Sequence, residues 1–135
     1  MDGVPLAKRR PLVNYRIEEA TPYVLAITFI GLVEMAERLE AWDEIEAATR
    51  LVEADSFLVD LSQAELGAYG AVEALELARR ISSLRHPFGK IAYVLRHDQN
   101  DMAVGVVLGL HAHHLIRRFE TRDEALHWLQ SNRGV

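Results

Sequence analysis

Asp60 and Ser62 lie at the end of the apolar run 56–61, and they are the first polar side chains in this sequence whose position could support chemistry. An acid that closes a core strand can bind a ligand or move a proton, because open α/β sheets take ligands beyond the carboxyl ends of their strands. The alternative is that Asp60 caps the following loop or accepts a hydrogen bond from Ser62. His97 and Asp98 form a second pair after the run 91–95, but no nucleophile is tied to them by spacing, so no catalytic triad is predicted.

Three histidines, His111, His113 and His114, form the only histidine cluster of the sequence. His111 and His114 are three positions apart, so on a helix they would share a face and could hold a metal ion. No carboxylate nearby has the spacing of a further ligand, so we expect a solvated helix end and predict no metal and no cofactor. The chain contains no cysteine, which excludes a disulfide, a thiol nucleophile and a thiolate metal site.

Two pairs of glycines could each mark a site. Gly67 and Gly70 precede a predicted helix, where backbone amides could hold an anion, but no Lys-Ser or Lys-Thr pair follows, so this is not a phosphate-binding loop. Gly105 and Gly109 are four positions apart in the apolar run 102–110 and would form a flat stripe on a helix. Such a stripe either packs on the sheet or forms a dimer surface, and the sequence leaves both interpretations open.

Length and composition limit the class of protein. The 135 residues are 50% hydrophobic and 26% charged, with a net charge of −5, which is typical of one globular domain and argues against general nucleic-acid binding. We expect a flexible tail over residues 1–12 and a single domain over residues 13–135. The longest apolar runs are too short to cross a bilayer, and no apolar region follows the basic residues 8–10, so we expect a cytoplasmic protein without a signal peptide.

The elements that position these residues follow from hydrophobic periodicity. Strands are predicted from runs of β-branched and aromatic residues, and helices from apolar residues that recur every three or four positions. The predicted strands are 13–18, 23–30, 56–61, 91–95 and 115–119, and the predicted helices are 32–52, 71–84, 101–113 and the segment after Thr121. This β-β-α-β-α-β-α-β-α order predicts an α/β fold with a mostly parallel sheet and an antiparallel N-terminal hairpin.

Local signals refine the helices. Asn100 or Asp101 is predicted to cap the third helix, and Thr121 with Glu124 forms a capping box before the fourth. Glu34 and Arg38, spaced i,i+4, are predicted on an exposed edge of the first helix. The predicted apolar spacing of the second helix runs through Val72, Leu75, Ala78 and Ile81.

Three stretches in this order resemble the STAS-like superfamily of anti-sigma-factor antagonists, and more closely its SpoIIAA-like branch, whose fold is related to lipid-binding CRAL-TRIO domains. The stretches are FLVDLS at 57–62, KIAYV at 90–94 and RFETRDEALHWL at 118–129. The resemblance covers the chain from about Tyr15 onward. The resemblance implies a SpoIIAA-like fold, which agrees with the predicted α/β order of elements.

The resemblance also bears on function. In phosphorylatable members a serine at the start of the helix after the "VDLS" strand acts as a switch. That position falls near Tyr69 or Gly70 in this sequence, and Ser62 lies too early. The resemblance therefore implies a non-catalytic regulatory or protein-interaction module, without the serine phospho-switch, that contacts a protein partner or forms a homodimer. Its candidate contact residues are Asp60, Ser62, Tyr69, Tyr93, His97 and Met102, with Gly105 and Gly109 as candidates for a dimer surface.

Two other functions remain as hypotheses. The CRAL-TRIO relationship implies a carrier or sensor of a small apolar, lipid-like ligand, with Tyr69, Tyr93 and Met102 as candidates for the pocket wall or for ordinary core. A metal-dependent or hydrolytic enzyme built around the histidines comes third.

Overall fold

A sheet with its five strands in chain order organises the described residues, which are 14–49, 54–82, 89–110 and 116–131 of a computed structural model. The residues 1–12 for which a tail is predicted lie outside them. The strands are β1 (Tyr15–Thr21), β2 (Val24–Val33), β3 (Ser56–Leu66), β4 (Lys90–Val94) and β5 (Ile116–Phe119), and the helices are α1 (Met35–Ala48), α2 (Ala71–Ser82), α3 (Met102–Leu110) and α4 (Arg122–Gln130). None of these helices is long and apolar enough to cross a membrane.

The predicted fold class is confirmed by the way the strands pair. β1 runs antiparallel to β2, whereas β2 with β3, β3 with β4 and β4 with β5 are all parallel. Each parallel pair is joined through a helix, which is the connection that parallel neighbours require. The carboxyl ends of β2, β3, β4 and β5 therefore lie at one end of the sheet.

Helices cover both faces of the sheet. Strand side chains alternate between the two faces, so Phe57 and Val59 point to one side and Leu58 points to the other. The first side forms the larger core, with α1, α2 and α3 packed on it. The second forms a smaller core in which Ala125 and Leu129 of α4 cover the strands.

The predicted C-terminal ends of β2 and β3, at residues 30 and 61, are wrong because both strands are longer. β2 continues to Val33 and β3 to Leu66, since residues 30–33 pair with residues 63–66, and a register shift lies just before this extension. Helix α1 therefore begins at Met35 and not at 32, and the N–H of Glu34 donates to Glu37 Oε1 at 2.9 Å at its start. Hydrophobic period could not locate the change, because Ser62 lies in the register shift and the polar Gln63 continues β3 through its pairing with Ile30 of β2.

Two of the predicted helix caps are present. Asp101 caps α3, since its Oδ2 accepts a hydrogen bond from the N–H of Val104 at 3.0 Å. Thr121 caps α4, with its Oγ1 accepting from the N–H of Glu124 at 3.2 Å, which is one of the two hydrogen bonds of the predicted capping box. These two contacts fix the starts of the helices that follow β4 and β5.

Replacing Thr121 by alanine is expected to lower the free energy of unfolding by about 1 kcal/mol, because a backbone N–H at the start of α4 loses its acceptor. Urea unfolding followed by circular dichroism measures the change. Thr121→Ser keeps the hydroxyl and should stay close to the wild type. An equal loss in both variants would contradict a capping role.

Candidate functional site

A buried ion pair joins α1 to the start of α3. The guanidinium of Arg38 donates to both carboxylate oxygens of Asp101, at 2.9 and 2.8 Å, and the two side chains are only 3% and 1% exposed. The prediction that Arg38 lies on an exposed helix edge is wrong. Arg38 turns inward because a bidentate acceptor 63 positions later in the sequence compensates the burial of its charge.

Tyr69 ties the loop between β3 and α2 to the same pair. Its hydroxyl donates to Asp101 Oδ1 at 2.5 Å and accepts from the N–H of Ala103 at 2.7 Å. The guanidinium of Arg38 lies 5.7 Å from the centre of the Tyr69 ring, within the range of a cation–π contact. Arg38, Tyr69 and Asp101, called the Arg38 network below, thus join α1, the loop before α2 and the start of α3.

The network holds its charges at neutral pH. Burial raises the pKa of Asp101, but the hydrogen bonds and charge of Arg38, followed by the bond from Tyr69, outweigh it and hold the pKa below its ordinary value. Burial lowers the pKa of Arg38, and hydrogen bonding to Asp101 reverses the effect, so that pKa is raised. Burial and then the hydrogen bond to Asp101 raise the pKa of Tyr69, so its phenol stays neutral.

Tyr93 adds an unusual polar group beside this network. Its side chain is 1% exposed, and its hydroxyl is the one buried side-chain polar atom in the described residues that has no hydrogen-bond partner. Burial raises the pKa of Tyr93, while the nearby charge of Arg38 acts in the opposite direction. Tyr93 belongs to the larger core.

Exposed apolar side chains lie in the first turns of α2 and α3, two helices that pack against each other. Val72 is 81% exposed, Leu75 57% and Met102 48%. The prediction that Val72 and Leu75 share the buried spacing of α2 is wrong, because the side of α2 that faces the core is formed by Ala74, Leu77, Ala78 and Ile81. Apolar side chains therefore extend further around the circumference of α2 than the part of the helix that packs against the core.

Gly105 and Gly109 extend this surface along α3. Both are exposed, and a Cβ added at either would meet no atom within 4 Å. Neither glycine is therefore required for close packing within the described chain. Val72, Leu75, Met102, Gly105 and Gly109 are called the α2–α3 surface below.

A separate polar cluster lies on the α4 side of the sheet, near the carboxyl ends of the strands. Asp60 Oδ1 accepts from the N–H of Ser62 at 3.0 Å and from its hydroxyl at 2.6 Å, while Oδ2 accepts from Arg122 at 3.2 Å. Arg122 also donates to Thr28 Oγ1 at 3.3 Å, and the Arg96 guanidinium donates to the carbonyl of Ser62. Both carboxylate oxygens of Asp60 are thus engaged within the chain.

The structure separates the predicted contact residues into groups. Asp60 and Ser62 lie together. Met102 is the first residue of α3, and Tyr69 and Tyr93 lie near Asp101, which directly precedes it. His97 is exposed in the turn after β4. His111, His113 and His114 lie outside the described residues. Within the described ranges, no group of three or more histidine, aspartate or glutamate side chains is placed to hold a metal ion.

Sequence reasoning missed Arg38 as part of a network, and a signal for it was present. Arg38 follows the buried Met35 by three positions and precedes the buried Trp42 by four, so it lies in the middle of the apolar arc of α1. A charged residue in that place predicts a buried partner. The identity of the partner could not be read from spacing.

Comparison with solved structures shows that the chain has a SpoIIAA-like fold. The unphosphorylated form of the anti-sigma factor antagonist SpoIIAA matches with a TM-score of 0.59 and 11% identity, over 87% of this chain and 98% of that one. A Shewanella loihica protein of unknown function from the DUF3478 family, with a SpoIIAA-like fold, matches with a TM-score of 0.52 and 19% identity, over 85% and 91%. An anti-sigma factor antagonist from Mycobacterium paratuberculosis matches with a TM-score of 0.51 and 18% identity, over 86% of this chain and 92% of that one.

No protein-family model matches the sequence, and no curated protein matches it significantly. At the identities of the structural matches, the likeness establishes the fold, while function has to be argued from the surfaces of this chain.

Proposed function

We propose that this chain is a non-catalytic regulatory module that recognises a protein partner through the α2–α3 surface. The observation that carries the proposal is the exposure of Val72, Leu75 and Met102 at the starts of two adjacent helices. Clustered apolar side chains on a surface are typical of protein-interaction sites. The fold, shared with anti-sigma factor antagonists, supports a regulatory role of this kind.

The Arg38 network gives this surface a fixed geometry. Tyr69 lies two residues before α2 and Asp101 one residue before α3, so a single cluster anchors the beginnings of both helices. An interface that is ordered before binding loses less conformational entropy when the partner arrives. The network therefore serves to position the surface and is not itself a contact.

Charge around the surface indicates the chemistry of the partner. Glu73 is exposed next to Val72. The basic residues of α2 are engaged, since Arg79 and Arg80 bind Glu76 at 2.7 and 3.0 Å, and these two contacts lower the pKa of Glu76 to about 2. The Oε1 of Glu73 accepts from the N–H of Gly70 at 2.7 Å, a bond that leaves its charge negative, so the start of α2 favours a partner with an apolar patch bordered by lysine or arginine.

Binding is proposed to operate without a serine switch. Tyr69 and Gly70 occupy the position before α2, and no serine or threonine occurs between Gln63 and Ile81. The hydroxyl of Tyr69 is engaged by Asp101 and Ala103. We therefore expect the partner to bind the unmodified protein, as isolated from the cytoplasm.

A second copy of this chain is one partner that the surface could take, and a small apolar ligand remains the alternative function. Native mass spectrometry of the freshly purified protein separates these cases. A reproducible small-molecule mass would replace the proposal with a carrier function, and a bare dimer would make the partner a second copy. A bare monomer is expected if the partner is a different protein.

Leu75→Glu is expected to weaken the partner complex at least about tenfold while changing the free energy of unfolding by no more than about 0.5 kcal/mol, because the side chain is exposed. A photo-crosslinking amino acid at position 72 would identify the partner in cells, and titration calorimetry with the purified partner would measure its affinity. Ile30→Glu is the matched control, since Ile30 is also an exposed apolar residue, at 43%. The proposal fails if position 72 captures no more than a crosslinker at Glu19, or if Ile30→Glu weakens the complex as much as Leu75→Glu.

A further inference from the structure

A groove of about 840 Å³ lies between β5 and α4, on the side of the sheet opposite to the α2–α3 surface. The rings of Phe119 and Trp128 lie in it with their centres 5.5 Å apart, and both are only partly buried. Arg117 and Arg118 line the groove from the strand, and the three carboxylates that follow, Glu120, Asp123 and Glu124, line it toward the helix.

The strand that borders the groove has one edge with which no other described strand pairs. β5 is the last strand of the sheet formed by the described residues. The carbonyl of Phe119 accepts from the N–H of Leu95 at 3.0 Å, so the backbone of Phe119 points toward β4. Backbone groups of neighbouring residues in a strand point to opposite sides, so the N–H and C=O of Arg118 point away from the sheet, where a further strand could pair with them.

Side chains of β5 extend into the groove beside that edge. Arg117 and Phe119 are two positions apart and therefore project to the same face, on which α4 lies. The guanidinium of Arg117 lies 5.5 Å from the centre of the Trp128 ring and 5.8 Å from that of Phe119. A strand added beside Arg118 would place alternate side chains over these rings and next to this cation.

We infer that the groove binds an extended segment of a partner protein, which adds to the sheet as a further strand beside β5. The segment places an acidic side chain next to Arg117. Two positions away, it places an apolar side chain on the rings of Phe119 and Trp128. The charges of the groove select this occupant. A polyanion such as a nucleic acid would meet Glu120, Asp123 and Glu124, whereas a peptide can carry a single acid placed next to Arg117. The inference does not depend on the proposed function, since it uses the other face of the sheet.

The probe is a capped seven-residue peptide of threonine, with glutamate at its third position and phenylalanine at its fifth. Added to ¹⁵N-labelled protein, it is expected to bind saturably and to shift the amide signals of β5 and α4. Two N-methylated versions of the peptide distinguish strand pairing from side-chain binding. One version is methylated at every second backbone amide, and the other is methylated at the remaining amides. One version should lose binding and the other should keep it, because only one set of amides faces β5.

Arg117→Glu is expected to weaken this peptide at least about tenfold, and a peptide with lysine in place of glutamate should restore the binding. Arg16→Glu is the matched control, since Arg16 is an exposed arginine on β1, the opposite edge of the sheet. Leu75→Glu should also leave peptide binding unchanged, which separates this inference from the proposed function. Absence of saturable binding, signal shifts elsewhere, or equal effects of Arg16→Glu and Arg117→Glu would overturn it. A peptide-free dimer that Arg117→Glu dissociates would also overturn it and assign the groove to a second copy of the chain.

Discussion

Replacing Arg38 by methionine is expected to lower the free energy of unfolding by about 3–5 kcal/mol, because it leaves the carboxylate of Asp101 buried without its partner. The Asp101 side chain is 1% exposed, so water cannot replace the two hydrogen bonds that Arg38 donates. Methionine fills much of the space of the arginine stem, so the loss reports on charge more than on packing.

Urea unfolding of purified variants measures this effect. Arg79→Met is the matched control: Arg79 is 65% exposed and pairs only with Glu76 within the described chain, so its removal should leave the free energy of unfolding nearly unchanged. The double variant Arg38→Met, Asp101→Asn should recover part of the loss, since no charge is then left buried. Similar losses for Arg38→Met and Arg79→Met would contradict the role given to the network.

The pH dependence of the Arg38→Met deficit has a definite sign. In the wild type the pKa of Asp101 is lowered on folding, so its stabilising contribution is present above the unfolded pKa and is lost as the pH falls through the folded one. Removing Arg38 takes away the largest causes that lower this pKa, so the folded pKa of Asp101 is higher in the variant than in the wild type, and the resulting deficit is present at neutral pH and shrinks as the pH falls. The difference between variant and wild type should therefore be smaller at pH 4 than at pH 7, as unfolding at the two pH values would show.

Tyr93→Phe is expected to raise the free energy of unfolding by about 1–2 kcal/mol, which is unusual for a substitution in a core. The hydroxyl of Tyr93 is buried without a hydrogen-bond partner in the described residues, so removing it also removes the cost of its desolvation. The ring remains, and no large cavity forms.

Tyr69→Phe provides the contrast to Tyr93→Phe in the same unfolding experiment. The hydroxyl of Tyr69 makes two hydrogen bonds, to Asp101 and from Ala103, so its loss should destabilise the protein by about 1–2 kcal/mol. Opposite signs for the two tyrosine variants are the expected result. A destabilising Tyr93→Phe would show that this hydroxyl has a hydrogen-bond partner in solution.

If the Arg38 network positions the α2–α3 surface, its effects should extend to binding. Tyr69→Phe keeps the exposed residues unchanged but loosens the connection between the loop before α2 and the start of α3. A weaker partner complex in this variant, measured where it remains fully folded, would separate positioning from direct contact.

The sequence by itself determined the class and order of the elements. Alternating and three-to-four-residue apolar periods are local properties, and they were enough to predict the α/β order and the antiparallel hairpin. The caps at Asp101 and Thr121 were also predictable, because a capping side chain binds a backbone N–H three residues away.

Only the tertiary structure decided which residues form the candidate site. The hydrogen bonds of Arg38 reach across 63 positions, so no local pattern contains them. The extension of β2 and β3 likewise depends on pairing between 30–33 and 63–66. Val72 and Leu75 have helical apolar spacing, yet they are exposed, because the area that the sheet and neighbouring helices cover is set by packing and not by the apolar arc of the helix itself.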